Sequence, residues 1–258
     1  KGDPHYTGGD KSHFEFTGIP GKHYCLLSDS HVHINVFYDG RFDKWGNNTN
    51  KPLTWIRKVG ILWGNHSLVM EARSGPEWRY ENGYMAKILV DGHEVSLSNP
   101  GDMETTSDSE IEVVWSAAKQ ISGHDEIDVY QVTLGDAFRM VAKLRPEVAH
   151  LRTNEDGIVH FTLDFPDVIL SENPHGILGQ TYRADHKNRS SETEAEFSEL
   201  LQVHVIKGDN AEGYLDGNPE DYEASGILKD DCAVSRFTNS FPEVYVASGS
   251  IDEFNEGG

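Results

Sequence analysis

Apolar residues that recur at every second position constrain this chain more than any other feature of its sequence. In His31-Val32-His33-Ile34-Asn35-Val36-Phe37-Tyr38, Val32, Ile34, Val36 and Tyr38 share one face while His31, His33 and Asn35 take the other, because successive side chains of a strand point to opposite sides. This pattern predicts a half-buried strand. Tyr130, Val132 and Leu134, then Gly135-Asp136, then Phe138, Met140 and Ala142 predict a hairpin. Lys87 to Val90 and Glu94 to Leu97 around Asp91-Gly92-His93 predict a second, since glycine accepts the positive φ of a tight turn. Val159, Phe161, Leu163 and Phe165 alternate up to Pro166, where the missing N–H is expected to end the ladder. Turn residues recur about every ten residues along the chain, so the expected fold class is all-β, an antiparallel β-sandwich. Helical periodicity is confined to Glu192–Leu201, where Ser191 is a candidate cap; at most one short helix is expected near 192–201. Residues 46–52 and 99–110 read as loops too short to link domains, so residues 1–245 are read as one domain and 246–258 as an acidic tail.

Charge narrows the partners. Forty-three acidic residues against 22 basic ones leave a net charge of −21, which repels phosphate backbones and anionic leaflets and argues against nucleic acid. No apolar run approaches the roughly eighteen residues of a spanning helix, so membrane insertion is not expected. The chain opens at Lys1 with neither Met nor an apolar leader and reads as a mature or trimmed polypeptide. Its two cysteines, Cys25 and Cys232, exclude a disulfide scaffold and a four-cysteine zinc site; they are either one long-range bridge or two unrelated thiols. Sequons at Asn47, Asn65 and Asn188 mark three candidate glycosylation sites and tilt the reading towards a secreted glycoprotein. Thirteen histidines, protonated in an acidic extracellular space, would cancel more than half of the net charge.

Several constellations carry possible chemistry. His31 and His33 lie two apart on a strand and offer two imidazoles to one metal, zinc or copper by ligand preference, with His5, His13 and His23 in the same region. Asp216-Gly217-Asn218-Pro219-Glu220-Asp221 alternates oxygen donors around a tight glycine turn, as a calcium site requires, with Asp216, Asn218, Asp221 and Glu220 as ligands; the same vocabulary serves ordinary turns. Arg183 is a candidate clamp for a carboxylate or phosphate, and Tyr182 beside it a candidate wall of a small-ligand pocket. No nucleophile elbow, zinc-protease motif, phosphate loop or dinucleotide fingerprint is present. Catalytic residues are therefore not assignable, although an Asp/His couple assembled from distant strands leaves no motif.

The opening, Gly2-Asp3-Pro4-His5-Tyr6-Thr7-Gly8-Gly9-Asp10, with Phe14-Glu15-Phe16-Thr17-Gly18 and Tyr24-Cys25-Leu26-Leu27-Ser28-Asp29, resembles a von Willebrand factor type D-like domain. More closely it resembles the plant root cap, late-embryogenesis-related family, as do His33-Ile34-Asn35, Thr54-Trp55-Ile56, Gly60-Ile61-Leu62, Gly176-Ile177-Leu178-Gly179-Gln180-Thr181-Tyr182-Arg183, Asp221-Tyr222 and Asp231-Cys232-Ala233-Val234. The resemblance implies a secreted, mostly β, single domain. Leu178 stands where type D domains usually carry a cysteine, which implies that Cys25 and Cys232 pair with each other. The resulting expectation is a non-catalytic extracellular or apoplastic binding module, with a cell-wall glycan, a protein or a small molecule as partner and a structural calcium ion as a possible cofactor. An enzyme of lyase, isomerase or hydrolase type, using His/Asp acid–base residues or a His-bound metal, is the second reading. An acidic stress or storage protein is the third.

Overall fold

The computed structural model describes residues 5–42, 52–73, 79–80, 83–84, 86–119, 126–147, 158–186, 195–198, 203–206 and 210–239. The fold is all-β, as the alternation implies. Chain order runs β1 (His5–Thr7), β2 (His13–Glu15), β3 (His23–Ser28), β4 (Val32–Phe42), β5 (Pro52–Trp63) and β6 (His66–Ala72). Then come β7 (Arg79–Tyr80), β8 (Gly83–Tyr84), β9 (Ala86–Val90), β10 (His93–Val95), β11 (Met103–Thr105) and β12 (Ile111–Lys119). The last are β13 (Glu126–Leu134), β14 (Phe138–Glu147), β15 (Ile158–Val168), β16 (Ala195–Ser198), β17 (Val203–Ile206) and β18 (Glu223–Ala224).

Twelve strands form one sheet, ordered β10-β9-β6-β5-β15-β14-β13-β12-β11, with β4, β3 and β18 added in turn beside β5. The long β5 is the pivot. One edge pairs with β4 along its length, from Val32 opposite Trp63 to Phe42 opposite Pro52. The other edge is shared, its second half pairing with β6 and its first half touching β15 through Phe161 opposite Ile56. The sheet folds over at this junction, and its halves meet across one apolar core. Trp63 Nε1 of β5 donates to Glu110 Oε2 at 2.9 Å, and the Ala86 amide of β9 donates to Tyr130 Oη of β13 at 3.0 Å. Buried aromatics thus keep their polar ends satisfied while filling the core. β1, β2, β17 and β16 make a separate small sheet.

Both expected hairpins are present. Leu134 faces Phe138 across the β13–β14 turn, and β9 pairs with β10 through Asp91-Gly92, both at positive φ. Four expectations need correction. Residues 195–198 within the candidate helix form strand β16, paired with β17, where a partner strand overrides a weak helical period. The ladder does not stop at Pro166; β15 continues to Val168 because the register shifts between Arg139 and Val141, and a bulge leaves room for a residue that cannot donate. The 99–110 loop contains the short strand β11. Finally β4 is not half-buried: His31, Val32, His33, Ile34, Asn35 and Val36 are all enclosed. The acidic tail lies outside the described residues, and among the described residues no helix is long and apolar enough to cross a membrane.

Candidate functional site: a lined cavity and a cysteine–histidine cluster

The second face of β4 is covered by chain from nearly two hundred residues away. Asn35 Nδ2 donates towards the carbonyls of Gly226 (3.2 Å), Ile227 (3.3 Å) and Lys229 (2.6 Å). The Arg236 amide donates to Ser28 Oγ at 2.8 Å, and the Thr238 amide to the Ser30 carbonyl at 3.1 Å. Gly60, opposite Asn35 in the ladder, lets this segment approach, since a Cβ there would lie 2.3 Å from the Ile227 carbonyl oxygen. Under the segment a disulfide joins Cys25 to Cys232, with Cα atoms 6.3 Å apart and a sequence separation of 207.

His33 sits against this bridge. Its Nδ1 is 2.9 Å from Ser28 Oγ, while Nε2 faces two acceptors, Asn35 Oδ1 at 3.0 Å and the Lys229 carbonyl at 3.2 Å. Two acceptors require the proton on Nε2, which leaves the Nδ1 lone pair to accept from the serine. Burial pushes the His33 pKa down, only partly opposed by Asn35 and the nearby acids, so the ring is neutral. Cys25 Sγ lies 4.0 Å from Nδ1 and 3.8 Å from Nε2. The two sulfurs and a ring nitrogen all fall within 4.8 Å of one another, a group able to hold a metal ion.

A cavity of about 730 Å³ opens on the other side of the β5–β15 junction. Tyr6 of β1, Trp55 of β5, Phe161 of β15 and Tyr182 give it aromatic walls. Lys11, His5, His160 and Lys143 line it as basic or titratable groups, against Asp164 as the acid among them. His5 Nδ1 lies 3.1 Å from Glu15, and Lys143 pairs with Asp164. Lys11 stands at the β1–β2 turn with φ +70°, in the left-handed region that usually belongs to glycine or asparagine. The turn is secured by Asp10, whose carboxylate accepts from the Ser12 amide at 3.0 Å and from Tyr214 Oη at 2.8 Å.

The sequence candidates fare differently. Cys25 and Cys232 are bridged. His31 and His33 do not combine: His31 packs edge-on against Trp63 with Asp29 4.0 Å away, whereas His33 joins the cysteines. Asp216, Asn218, Glu220 and Asp221 are not arranged as a calcium cage among the described residues. Asp216 is ion-paired to Arg183 at 2.5 Å, and Asp221 accepts from the Asn218 amide at 2.7 Å to cap the 3-10 turn Pro219–Tyr222. Tyr182 does line the cavity. Arg183 is held away by Asp216 and Asp185. Of the sequons, Asn65 is exposed at the β5–β6 turn, while Asn47 and Asn188 lie outside the described residues.

Two groupings escaped the sequence. The Asp10, His186 and Tyr214 cluster joins residues far apart, with His186 Nε2 donating to the Tyr214 carbonyl at 2.8 Å, and no local pattern announces it. The cavity has no such signal either: Lys143, His160 and Asp164 stand on strands that also carry Arg139, Arg145 and Asp167, so nothing local sets them apart. Comparison with protein-family models, with curated proteins and with solved structures finds no match for this chain.

Proposed function

We propose that this chain is an extracellular binding domain of the root cap type, which takes an acidic saccharide unit into the cavity between β1, β5 and β15 without transforming it. One observation carries the reading: in a chain of net charge −21, a cavity of about 730 Å³ is lined by two lysines and two histidines against one acid, between aromatic walls. Its volume falls in the roughly 300–1,000 Å³ of small-molecule sites. Aromatic faces suit the apolar faces of a sugar ring, and an ammonium at the rim suits its carboxylate. Lys11 supports this further. The hydrogen bonds of the β1–β2 turn hold this lysine at positive φ, at a cost on the order of 1 kcal/mol, and the turn places it in the cavity lining.

Lys11→Gly separates the roles. The substitution relieves backbone strain, so thermal stability should hold or rise, while affinity for trigalacturonate measured by calorimetry should fall at least tenfold. Neutral trigalactose should bind wild type and variant alike, and weakly. Equal affinity for the two saccharides, or no binding of trigalacturonate, would sink the proposal. An enzymatic reading retains one supporting observation, the convergence of His160 and Asp164 on the same cavity. Release of shortened product during the same incubation would favour it. A storage role has no use for such a cavity.

A further inference from the structure

We propose that reduction converts the Cys25–Cys232 bridge into a site for one zinc ion, held by both thiolates and by His33 Nδ1. The proposal is independent of the cavity. It rests on a placement that a bridge alone does not need: an imidazole packed against the disulfide, with Nε2 engaged by two acceptors and Nδ1 left as the nitrogen to face a metal. His33 Nε2–H is engaged by Asn35 Oδ1 at 3.0 Å and by the Lys229 carbonyl at 3.2 Å. Metal-ligating histidines are fixed in this way, the far N–H donating to a carbonyl that sets tautomer and ring orientation.

The distances need little adjustment. Tetrahedral zinc, with Zn–S near 2.3 Å and Zn–N near 2.0 Å, places its ligand atoms roughly 3.5–3.8 Å apart. Cys25 Sγ is already 4.0 Å from His33 Nδ1 and 3.8 Å from Nε2, and the two sulfurs and one nitrogen of the ring lie within 4.8 Å of one another. Zinc would displace Ser28 Oγ from Nδ1; that hydroxyl has Ser235 Oγ 3.4 Å away as an alternative partner. All three ligands are enclosed, with Cys25, His33 and Cys232 at 0%, 1% and 4% exposure. The fourth position falls to water, as in zinc sites with three protein ligands.

The chemistry balances with a dithiol as reductant. It passes two electrons and two protons to the bridge, the S–S bond breaks to two thiols, and the dithiol leaves as its own cyclic disulfide. Zinc then displaces both thiol protons to solvent. The cation is thus bound only in the reduced state.

Cobalt reports such a site directly. The full chain, reduced with a phosphine and titrated with Co²⁺, should take up one equivalent with thiolate-to-cobalt charge-transfer absorption, which Zn²⁺ then bleaches. Oxidised protein should show none of this. His33→Gln, in which the oxidised bridge and its near-ultraviolet dichroism should persist, should bind at least tenfold more weakly once reduced. A reduced protein that loses its fold and regains it on adding Zn²⁺ would also support the site. The inference is overturned by absence of the band, by equal binding in His33→Gln or in the oxidised protein, or by reduced protein that unfolds and is not restored by zinc.

Discussion

Asn35 ties two distant parts of the chain through one side chain. Its amide nitrogen reaches three carbonyls of the 226–229 segment, and its oxygen takes the His33 N–H. It is fully buried, so truncation leaves enclosed carbonyls and an imidazole N–H without partners. Asn35→Ala should therefore lower stability by about 2–3 kcal/mol, read as a shift in the urea midpoint. Asn35→Asp should cost more at neutral pH, because a carboxylate cannot donate and meets three carbonyl oxygens instead; acidification should restore part of the loss. A change within about 0.5 kcal/mol, the range of an ordinary surface substitution, would show that the covering segment is held by other contacts. The alternation of β4 made the shared face of His31, His33 and Asn35 legible in the sequence. That this face is covered was not legible, because the cover comes from residues 226–238 and periodicity describes one strand at a time.

At the scale of elements, three turns are pinned by one histidine. His66, at the start of β6, lies 2.7 Å through Nδ1 from Asp91 of the β9–β10 turn and 2.8 Å through Nε2 from Asp108 of the β11–β12 turn. The Asp91 hydrogen bond, with Asp108 adding to it, raises the His66 pKa against some opposing burial. The hydrogen bond from His66 pulls Asp108 down to about 2, and Asp91 is lowered as well, against burial, by the same ring and the Ser67 amide. A raised histidine contributes stability that is complete below its unfolded value near 6.5 and is lost as pH rises through the folded value. Depressed carboxylates contribute above about 3.9 and lose that contribution as pH falls. The trio should thus be strongest between about pH 4 and 6.5. His66→Gln should flatten the decline in melting temperature between about pH 6.5 and 8, and a variant with the wild-type slope would remove His66 as its source. Hairpins were readable here because Asp91-Gly92 and Gly135-Asp136 are turn chemistry with a local cause. The fate of Pro166 was not, since its tolerance depends on a bulge formed with β14, and neither was the pairing of 195–198, which depends on β17.

On the scale of the whole molecule, the alternating strands announced an all-β class but not a sheet that turns over at β5. That topology rests on the Phe161–Ile56 ladder pair, joined by the Arg57 hydrogen bond to the Val159 carbonyl, and on β5 being long enough to serve two neighbours on one edge, a property of length and register rather than composition. The cavity arises at the same junction, which is why its lining residues did not stand out in sequence. Closure of the molecule depends on the Cys25–Cys232 bridge, which encloses 207 residues of separation. In the chain-entropy account a loop of that size restricts the unfolded ensemble enough to stabilise the fold by about 5 kcal/mol. Cys25→Ser with Cys232→Ser should therefore lower the unfolding free energy by about that amount, less whatever structure the unfolded chain retains. The m-value should increase at the same time, because an uncrosslinked chain exposes more surface when it unfolds. Hydrogen exchange distinguishes this from native-state damage. Amides of the covering segment, such as Arg236 and Thr238, should lose protection first, while β13 and β14, which touch neither cysteine, should exchange only by global unfolding. Uniform loss of protection at native conditions would mean that the bridge supports the packing of the core itself, and the separation between a closed cover and an independently stable sheet would fail.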